Sequence, residues 1–377
     1  MSNDELVLYY QPKICLLRGD VIGAEALVRW ADGNREVIPP DEFLPLVESS
    51  GLLHDLTMQL LDQVAHAAVE LRSHASGLAL SMNVAPNDLA SNNISNRIGE
   101  LLAQEFISPE DLQIEITESA VMSNVERVRD DLERLNRLGI KVLMDDFGTG
   151  YSSIDRLSQL PFDSLKLDQG VVKRMGSSTQ SMDVVRSAIS MARELSMTSV
   201  AEGIETEGVY NFLIANGCEE AQGFYIARPM SLPSLIGFVS DSPKFEGSQI
   251  GRVHQAALNL MRFRKSLVDA VYCRRLGEGV ALESVIDPGL STDVRHSRIG
   301  QWYFGIGQRL EKLETFRAIE KPMTDMHATG QNFIQLLSSN VDAENLEKGM
   351  IEIDMQFDHL VTLLHALERD LLSEKLQ

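Results

Sequence analysis

Lys141-Val142-Leu143-Met144-Asp145-Asp146-Phe147-Gly148-Thr149-Gly150-Tyr151-Ser152-Ser153 runs from a short apolar strand into two adjacent carboxylates and then a glycine-rich turn. Each of two neighbouring anions raises the cost of ionising the other, and a bound cation removes that conflict. Paired divalent ions about 3.5–4 Å apart, sharing a carboxylate, are common machinery for displacement at phosphorus. Asp and Gly are also ordinary turn formers, so the stretch alone leaves a solvated turn open.

The same device, an apolar strand closing on a polar group, recurs along the chain. Strands are predicted at Leu6–Tyr10, ending at Gln11-Pro12, and at Val21–Trp30, interrupted by Glu25 and Arg29. Leu78–Met82 ends at Asn83, and Leu112–Ile116 carries Glu115 with Glu118 just past it. Ser164–Leu167 delivers Lys166 and Asp168, Thr198–Ala201 leads to Glu202, and Ala221–Ile226 contains Gln222. Between them lie helical patterns: one opened by Pro39-Pro40 with Asp41 as N-cap, and a long amphipathic segment from Leu52 to Arg72. A third has Val125, Val128, Leu132, Leu135 and Leu138 on one face and Gly139 as C-cap, with others near Met182–Leu195 and Val209–Ala215. Alternating strand and helix argues for a parallel sheet. Glu25, Asn83, Glu115, Asp145, Lys166, Glu202 and Gln222 each come from a different strand. Such convergence suits a TIM-like (β/α) barrel, whose strand ends meet on one face, better than an open sheet with one switch point. The α/β part is expected over residues 1–242.

At 377 residues the chain has room for a barrel and a second domain. A formal charge of −21 argues against a broad surface for a nucleic acid polymer or a membrane. Cys15, Cys218 and Cys273 show neither a disulfide framework nor zinc-knuckle spacing. No signal peptide and no apolar run approaching about 18 residues is evident, so a cytoplasmic protein is the expectation.

Glu25, Asn83, Glu115 and Asp145 form an all-oxygen set, the kind that Mg2+ or Mn2+ prefers; Asp146, Asp168 and Glu202 supply carboxylates for a second ion. His54, His66 and His74 fall on predicted helices or turns, which disfavours a histidine relay or a zinc site. Metal-activated water is then the expected nucleophile, with Lys166 placed to orient it or to neutralise charge. A surface lysine at Lys166 and a Glu25 satisfied by Arg29 are the plainer alternatives.

Glu25-Ala26-Leu27-Val28-Arg29-Trp30 resembles the signature of EAL-domain cyclic-di-GMP phosphodiesterases. So do Gln11-Pro12, Asn83-Val84, Glu115-Ile116-Thr117-Glu118, the stretch Asp145–Ser153, Lys166-Leu167-Asp168, Glu202-Gly203-Ile204-Glu205 and Gln222-Gly223-Phe224. The likeness covers roughly residues 5–240 in family order; Phe224 stands where Tyr is frequent and Ile204 where Val is common. The resemblance implies two Mg2+ or Mn2+ ions, one held by Glu25, Asn83, Glu115 and Asp145, the other by Asp145, Asp146 and Glu202. It implies that Lys166 assists the attacking water, that Gln222 holds the water or metal shell, and that Glu118 braces the loop after the paired acids. Arg29 would meet substrate phosphate, with Gln11, Leu27, Asp168 and Pro229 lining the dinucleotide pocket. The implied reaction converts cyclic di-GMP to linear pGpG, and a homodimer is the implied assembly. Relatives lacking such groups only bind the nucleotide; this sequence keeps them, so hydrolysis is expected, with a non-hydrolysing receptor that signals to a partner protein as the alternative.

Asp241-Ser242-Pro243-Lys244-Phe245-Glu246-Gly247-Ser248 reads as a linker. After it, residues 249–377 predict helices at Ile250–Arg275, Thr292–Thr315, Pro322–Ser339 and Asp342–Lys375, an antiparallel four-helix bundle. Ser297–Gly305, Phe316-Arg317 and Pro322–His327 resemble the chemoreceptor zinc-binding (CZB) domain, which binds zinc through three His and one Cys. Aligned so, Ser297 stands at the Cys, Met323 and Leu260 at two of the His, and only His327 matches. Ser, Met and Leu cannot hold tetrahedral zinc, so no zinc is expected, with His254 and His296 as weak surrogates. His359 and His365 suit a helix surface as well as a ligand. A degenerate bundle for regulation, dimerisation or partner binding is the expectation, and an interaction protein built around it is a third reading.

Overall fold

The structure is a computed structural model that describes residues 5–31, 37–89, 92–118, 125–148, 157, 160–176, 178–276, 293–338 and 343–374. Two compact units divide the chain. One comprises residues 1–16, 20–210 and 218–245; the other comprises 17–19, 211–217 and 246–377.

The first unit is a closed barrel. Its strands are β1 (Leu6–Cys15), β2 (Val21–Ala31), β4 (Ala79–Asn83), β5 (Leu112–Thr117), β6 (Lys141–Phe147), β7 (Ser164–Leu167), β8 (Thr198–Ala201) and β9 (Glu220–Gln222), with a short β3 (Val37–Ile38) on the edge of β2. The order β1-β9-β8-β7-β6-β5-β4-β2 closes through pairing of β1 with β2. Neighbours from β2 through β4 to β9 run parallel, as strand–helix alternation predicts.

The first strand departs from that pattern. β1 is antiparallel to both β2 and β9, with Gln11 opposite Glu25 and Lys13 opposite Gln222. Residues 16–20 are too few for a crossover helix, so β1 and β2 form a hairpin. Nor does β1 stop at Gln11-Pro12. β9 pairs only with Lys13–Cys15, which leaves Pro12 outside the stretch flanked on both sides, where a residue lacking N–H is tolerated.

Register sorts the side chains. Glu25, Ser81 and Gln113 are mutual partners across β2, β4 and β5, and Asn83 partners Glu115 on the same face. The alternate residues Leu80, Ile114, Ile116, Val142, Met144, Leu165 and Leu167 are all buried. Alternation puts these on the opposite face, toward the helices Leu53–His74, Asn93–Ala103, Val125–Arg137 and Thr179–Glu194. Burying such a side chain stabilises by about 1.5–3 kcal/mol, so the outer layer carries the barrel and frees its interior for polar groups.

Local endings follow the expected chemistry with two exceptions. Gly139 ends the Val125–Arg137 helix in the left-handed region at φ 79°. The Pro40–Ser49 helix, however, has Pro39 rather than Asp41 at its N-cap, and Asp41 lies in the first turn. β9 is shorter than predicted, because Gly223 brings the chain against the Ile204 backbone, where a Cβ would collide.

The second unit is helical. Gln249–Leu276 and Ala343–Glu374 run antiparallel, joined by Arg264–Asp354 at 2.7 Å and His254–Glu368 at 3.8 Å. Glu320–Ser338 packs Phe333 against Gly349. The predicted helix Thr292–Thr315 is instead broken into Val294–His296, Arg298–Tyr303, Ile306–Leu310 and Glu314–Arg317. Ser297 accepts from Gly300 N at 3.1 Å and starts a new helix, and at Gly300 a Cβ would strike the Val294 carbonyl. Ser297, Leu260, Met323 and His327 are all buried. Among the described residues no helix is long and apolar enough to cross a membrane.

Candidate active site

At the C-terminal ends of the parallel strands, four carboxylates gather on one ammonium. Lys166 Nζ donates to Glu115 Oε2 and lies 2.5 Å from Glu202 Oε1, 3.2 Å from Asp145 Oδ1 and 3.6 Å from Glu25 Oε2. Lys166 and Glu115 are fully buried, and Glu25 and Asp145 nearly so. Glu25 is further tied by Asn83 Nδ2 at 2.9 Å and Gln222 Nε2 at 2.7 Å; the same Gln222 nitrogen reaches Gln11 Oε1 at 3.0 Å. The plainer readings fall away: Lys166 is no surface lysine, and Arg29 Nη1 donates to the Val28 carbonyl rather than holding Glu25.

One ammonium cannot offset four acids. Burial, then Glu115 and Asp145, push Glu25 up to about 7 against the pull of Lys166 and Gln222. Burial and the neighbouring acids also raise Glu202 well above the usual carboxylate range. Glu115 goes the other way: burial opposes its charge, but Lys166 and Lys13 outweigh burial and hold it ionised. Lys166 is likewise raised despite burial, by Glu115, Glu202, Glu25 and Asp145.

Asp146 takes a left-handed backbone at φ 57°, a conformation Asp tolerates better than most residues, and its N–H donates to Asp145 Oδ1 at 2.8 Å. Burial, then Asp145 and Asp168, raise its pKa. Glu118 Oε2 accepts from Gly148 N at 3.2 Å; residues Thr149–Ser153 of the same loop lie outside the described residues. Asp168 is engaged elsewhere, since its carboxylate caps the helix Gln169–Arg174 through Gly170 N at 3.0 Å and Val171 N at 3.3 Å.

A cavity of about 380 Å³ opens over the acids, walled by Gln11, Leu27, Arg29 and Pro229 and floored by Glu25, Asp145, Asp146, Glu202 and Gln222. An apolar cavity of about 680 Å³ adjoins it, sharing Leu27, Asp145 and Asp146 and adding Asn83. The larger cleft of about 880 Å³, lined by Arg295, Tyr303, Lys312 and Arg317, lies within the helical unit and holds none of the predicted site residues.

Several residues at this site are given no site role by the sequence, although Glu205 and Phe224 fall within its motifs. Asp41, Gln169, Lys173, Glu205 and Phe224 also line the 380 Å³ cavity. Lys173 Nζ meets Glu205 Oε1 at 3.0 Å, and Arg228 stacks over the Phe224 ring at 4.3 Å. They sit on loops and short helical turns, where no periodic pattern flags them. Lys13 escapes because the predicted strand ends at Gln11-Pro12; a lysine inside an apolar strand is the signal that could have found it.

Donor chemistry tests the expected metal centre. Every candidate ligand offers oxygen, and among the described residues nothing donates to the buried Glu115 Oε1 or Gln222 Oε1. Those acceptors and the surplus of carboxylates fit hard divalent cations. Among the described residues no three His, Cys, Asp or Glu side chains surround a common point as ligands; the acids converge on Lys166 Nζ instead.

The family model for the EAL domain matches residues 1–229. Cyclic di-GMP phosphodiesterase RocR of Pseudomonas aeruginosa is 36% identical over 242 residues, covering 64% of this chain and 62% of its own length. Cyclic di-GMP phosphodiesterase PdeR of Escherichia coli is 36% identical over 230 residues, covering 61% of this chain and 35% of its own. The chain thus spans less than two thirds of either relative. The solved structure of PaMucR phosphodiesterase in complex with c-di-GMP matches 61% of this chain and 94% of its own, with TM-score 0.59 and 34% identity.

Proposed function

The chain belongs to the EAL family, and from that membership we propose that it hydrolyses one phosphodiester of cyclic di-GMP to give linear pGpG, using divalent metal. One observation carries the reading: Glu25, Glu115, Asp145 and Glu202 converge on Lys166 beneath a cavity of about 380 Å³, with Asn83 and Gln222 as neutral partners. Glu25, Asn83, Glu115 and Asp145 would hold one Mg2+ or Mn2+ ion, and Asp145, Asp146 and Glu202 a second. When bound, such ions polarise phosphoryl oxygen and lower the pKa of water.

The chain's own residues do the rest. Lys166, cationic because acids surround it, orients the attacking water by donating from Nζ and offsets charge that builds on phosphate. Gln222 Nε2 fixes Glu25 by donating to Oε2, and Asn83 Nδ2 holds Oε1. Arg29, half-buried and lining the cavity, meets substrate phosphate, while Gln11, Leu27 and Pro229 wall the dinucleotide. Asp168 acts by anchoring the helix start beside Gln169 and Lys173, and Glu118 by holding Gly148.

Incubating the full chain with cyclic di-GMP and Mg2+ should release pGpG, and Glu25→Ala should abolish release. Binding without pGpG would leave the non-hydrolysing receptor. We further propose that the helical unit regulates turnover and supports a homodimer; sedimentation of the full chain tests the dimer. For regulation, the support is that residues 246–377 form a compact unit with its own buried core.

A further inference from the structure

Lys13 is a second buried lysine of the barrel, and none of the roles above uses it. The antiparallel β1 places it opposite Gly23 and Gln222, one register step below the Gln11–Glu25 pair. From there Nζ donates to Ser81 Oγ at 3.0 Å and to Gln113 Oε1 at 2.8 Å. Ser81 and Gln113 each stand two residues before a candidate ligand on their own strand, Asn83 and Glu115. The same Nζ lies 3.7 Å from Glu115 Oε1, which has no hydrogen-bond partner among the described residues. Glu115 is therefore held between two ammonium groups, Lys166 on Oε2 and Lys13 on the Oε1 side.

The two lysines differ in what else they serve. Lys166 is shared by four acids at the mouth. Lys13 has one carboxylate, Glu115, and two neutral acceptors that fix its direction. Burying an ammonium is expensive unless its charge is used, and a packed apolar side chain would serve stability at least as well. A charge retained here points to the carboxylate above it.

We propose that Lys13 is a positioning residue for the metal centre: it holds Glu115 from beneath, so that Lys166 can turn to water and phosphate while Glu115 stays oriented. This inference rests on the phosphodiesterase reading. Glu115 keeps a counter-charge at every stage, whichever acid Lys166 faces.

Lys13→Met and Lys13→Gln in the full chain test it, the second keeping polar contact with Ser81 and Gln113 while removing the charge. Mn2+ binding, read by the loss of the free-ion electron paramagnetic resonance signal without substrate, should weaken roughly ten- to hundredfold in both variants, the range for groups that orient metal ligands. The turnover number should fall with it at fixed Mg2+, while KM for cyclic di-GMP changes by less than about threefold, since Lys13 does not line the substrate cavity. A folded variant of either kind that binds Mn2+ as tightly as the parent would overturn the role of Lys13. Should Lys13→Met not fold, Lys13→Gln decides the question in its place. A parent chain that neither binds Mn2+ nor releases pGpG would overturn the phosphodiesterase reading, and this inference with it.

Discussion

The barrel and the helical unit bury different things. Inside the barrel mouth sit Lys13, Glu25, Glu115, Asp145 and Lys166, all withdrawn from water. In the helical unit Ser297, Leu260 and Met323 are buried, and the core is built from groups such as Phe316, Phe333, Leu360 and Leu364. Ser297 caps a helix. Buried charge destabilises unless it is balanced, whereas buried Leu and Phe stabilise directly. One region holds carboxylates that resist ionisation for want of cations; the other buries mainly apolar side chains, with the charge of Arg252 turned to the Glu246 and Leu17 carbonyls.

The strongest attack on this contrast is Glu25→Gln, which keeps shape and removes one charge. Turnover should fall on the order of 10³-fold, about 4 kcal/mol in the barrier, while the metal-free melting temperature stays level or rises because repulsion is relieved. Measuring pGpG release and melting together checks it; a fall in both would make Glu25 a structural residue. In the helical unit, Leu360→Ala should do the reverse, costing about 3 kcal/mol of unit stability through the cavity it leaves. Denaturant unfolding followed by far-ultraviolet circular dichroism reads that loss. The same variant tests regulation: pGpG release equal to the parent's would count against control by the helical unit.

Acidity sharpens the contrast further. The folded-state pKa of Glu25, about 7, lies above its ordinary value of 4.5, so its stabilising contribution is complete below the lower figure and is lost as pH rises through the higher. Metal-free protein should therefore melt lower at about pH 8 than at about pH 5.5. A divalent ion must displace that proton, so the Glu25 contribution to Mn2+ affinity should climb by up to about tenfold per pH unit below pH 7 and level off above it. Calorimetric titration across that range would detect a flat profile, which would remove Glu25 from the metal site. The smallest effect is expected at Asp168→Ala, where a lost cap costs about 1 kcal/mol and turnover falls modestly as the Gln169–Arg174 helix loosens. A large rise in KM for cyclic di-GMP would instead return Asp168 to direct substrate contact.

Most of the acid cluster is legible in the sequence. Glu25, Asn83, Glu115, Asp145, Lys166, Glu202 and Gln222 each lie in or close an apolar strand, and period-two alternation carries that information within a few residues. The wall of the cavity is legible only in part. Gln11, Leu27, Arg29 and Pro229 come from resemblance, while Asp41, Gln169, Lys173 and Glu205 lie on loops and helical turns that no periodicity marks. In the helical unit, Gln249–Leu276, Glu320–Ser338 and Ala343–Glu374 match their predicted spans closely because long amphipathic repeats average over local exceptions. The region from Val294 to Arg317 does not, since a single hydroxyl cap and glycine contacts override a helical pattern.

Local sequence thus determined which segments are strands or helices and which polar groups end them, because backbone preference and hydrophobic alternation act over a few residues. Tertiary structure alone decided that β1 runs backwards, that Lys13 thereby lies beneath Glu115, and that Asp168 turns to its own helix. Those outcomes depend on which strand closes the barrel and which backbone N–H groups a carboxylate finds within reach. Both are settled by contacts between residues far apart in the chain, for which no local pattern exists.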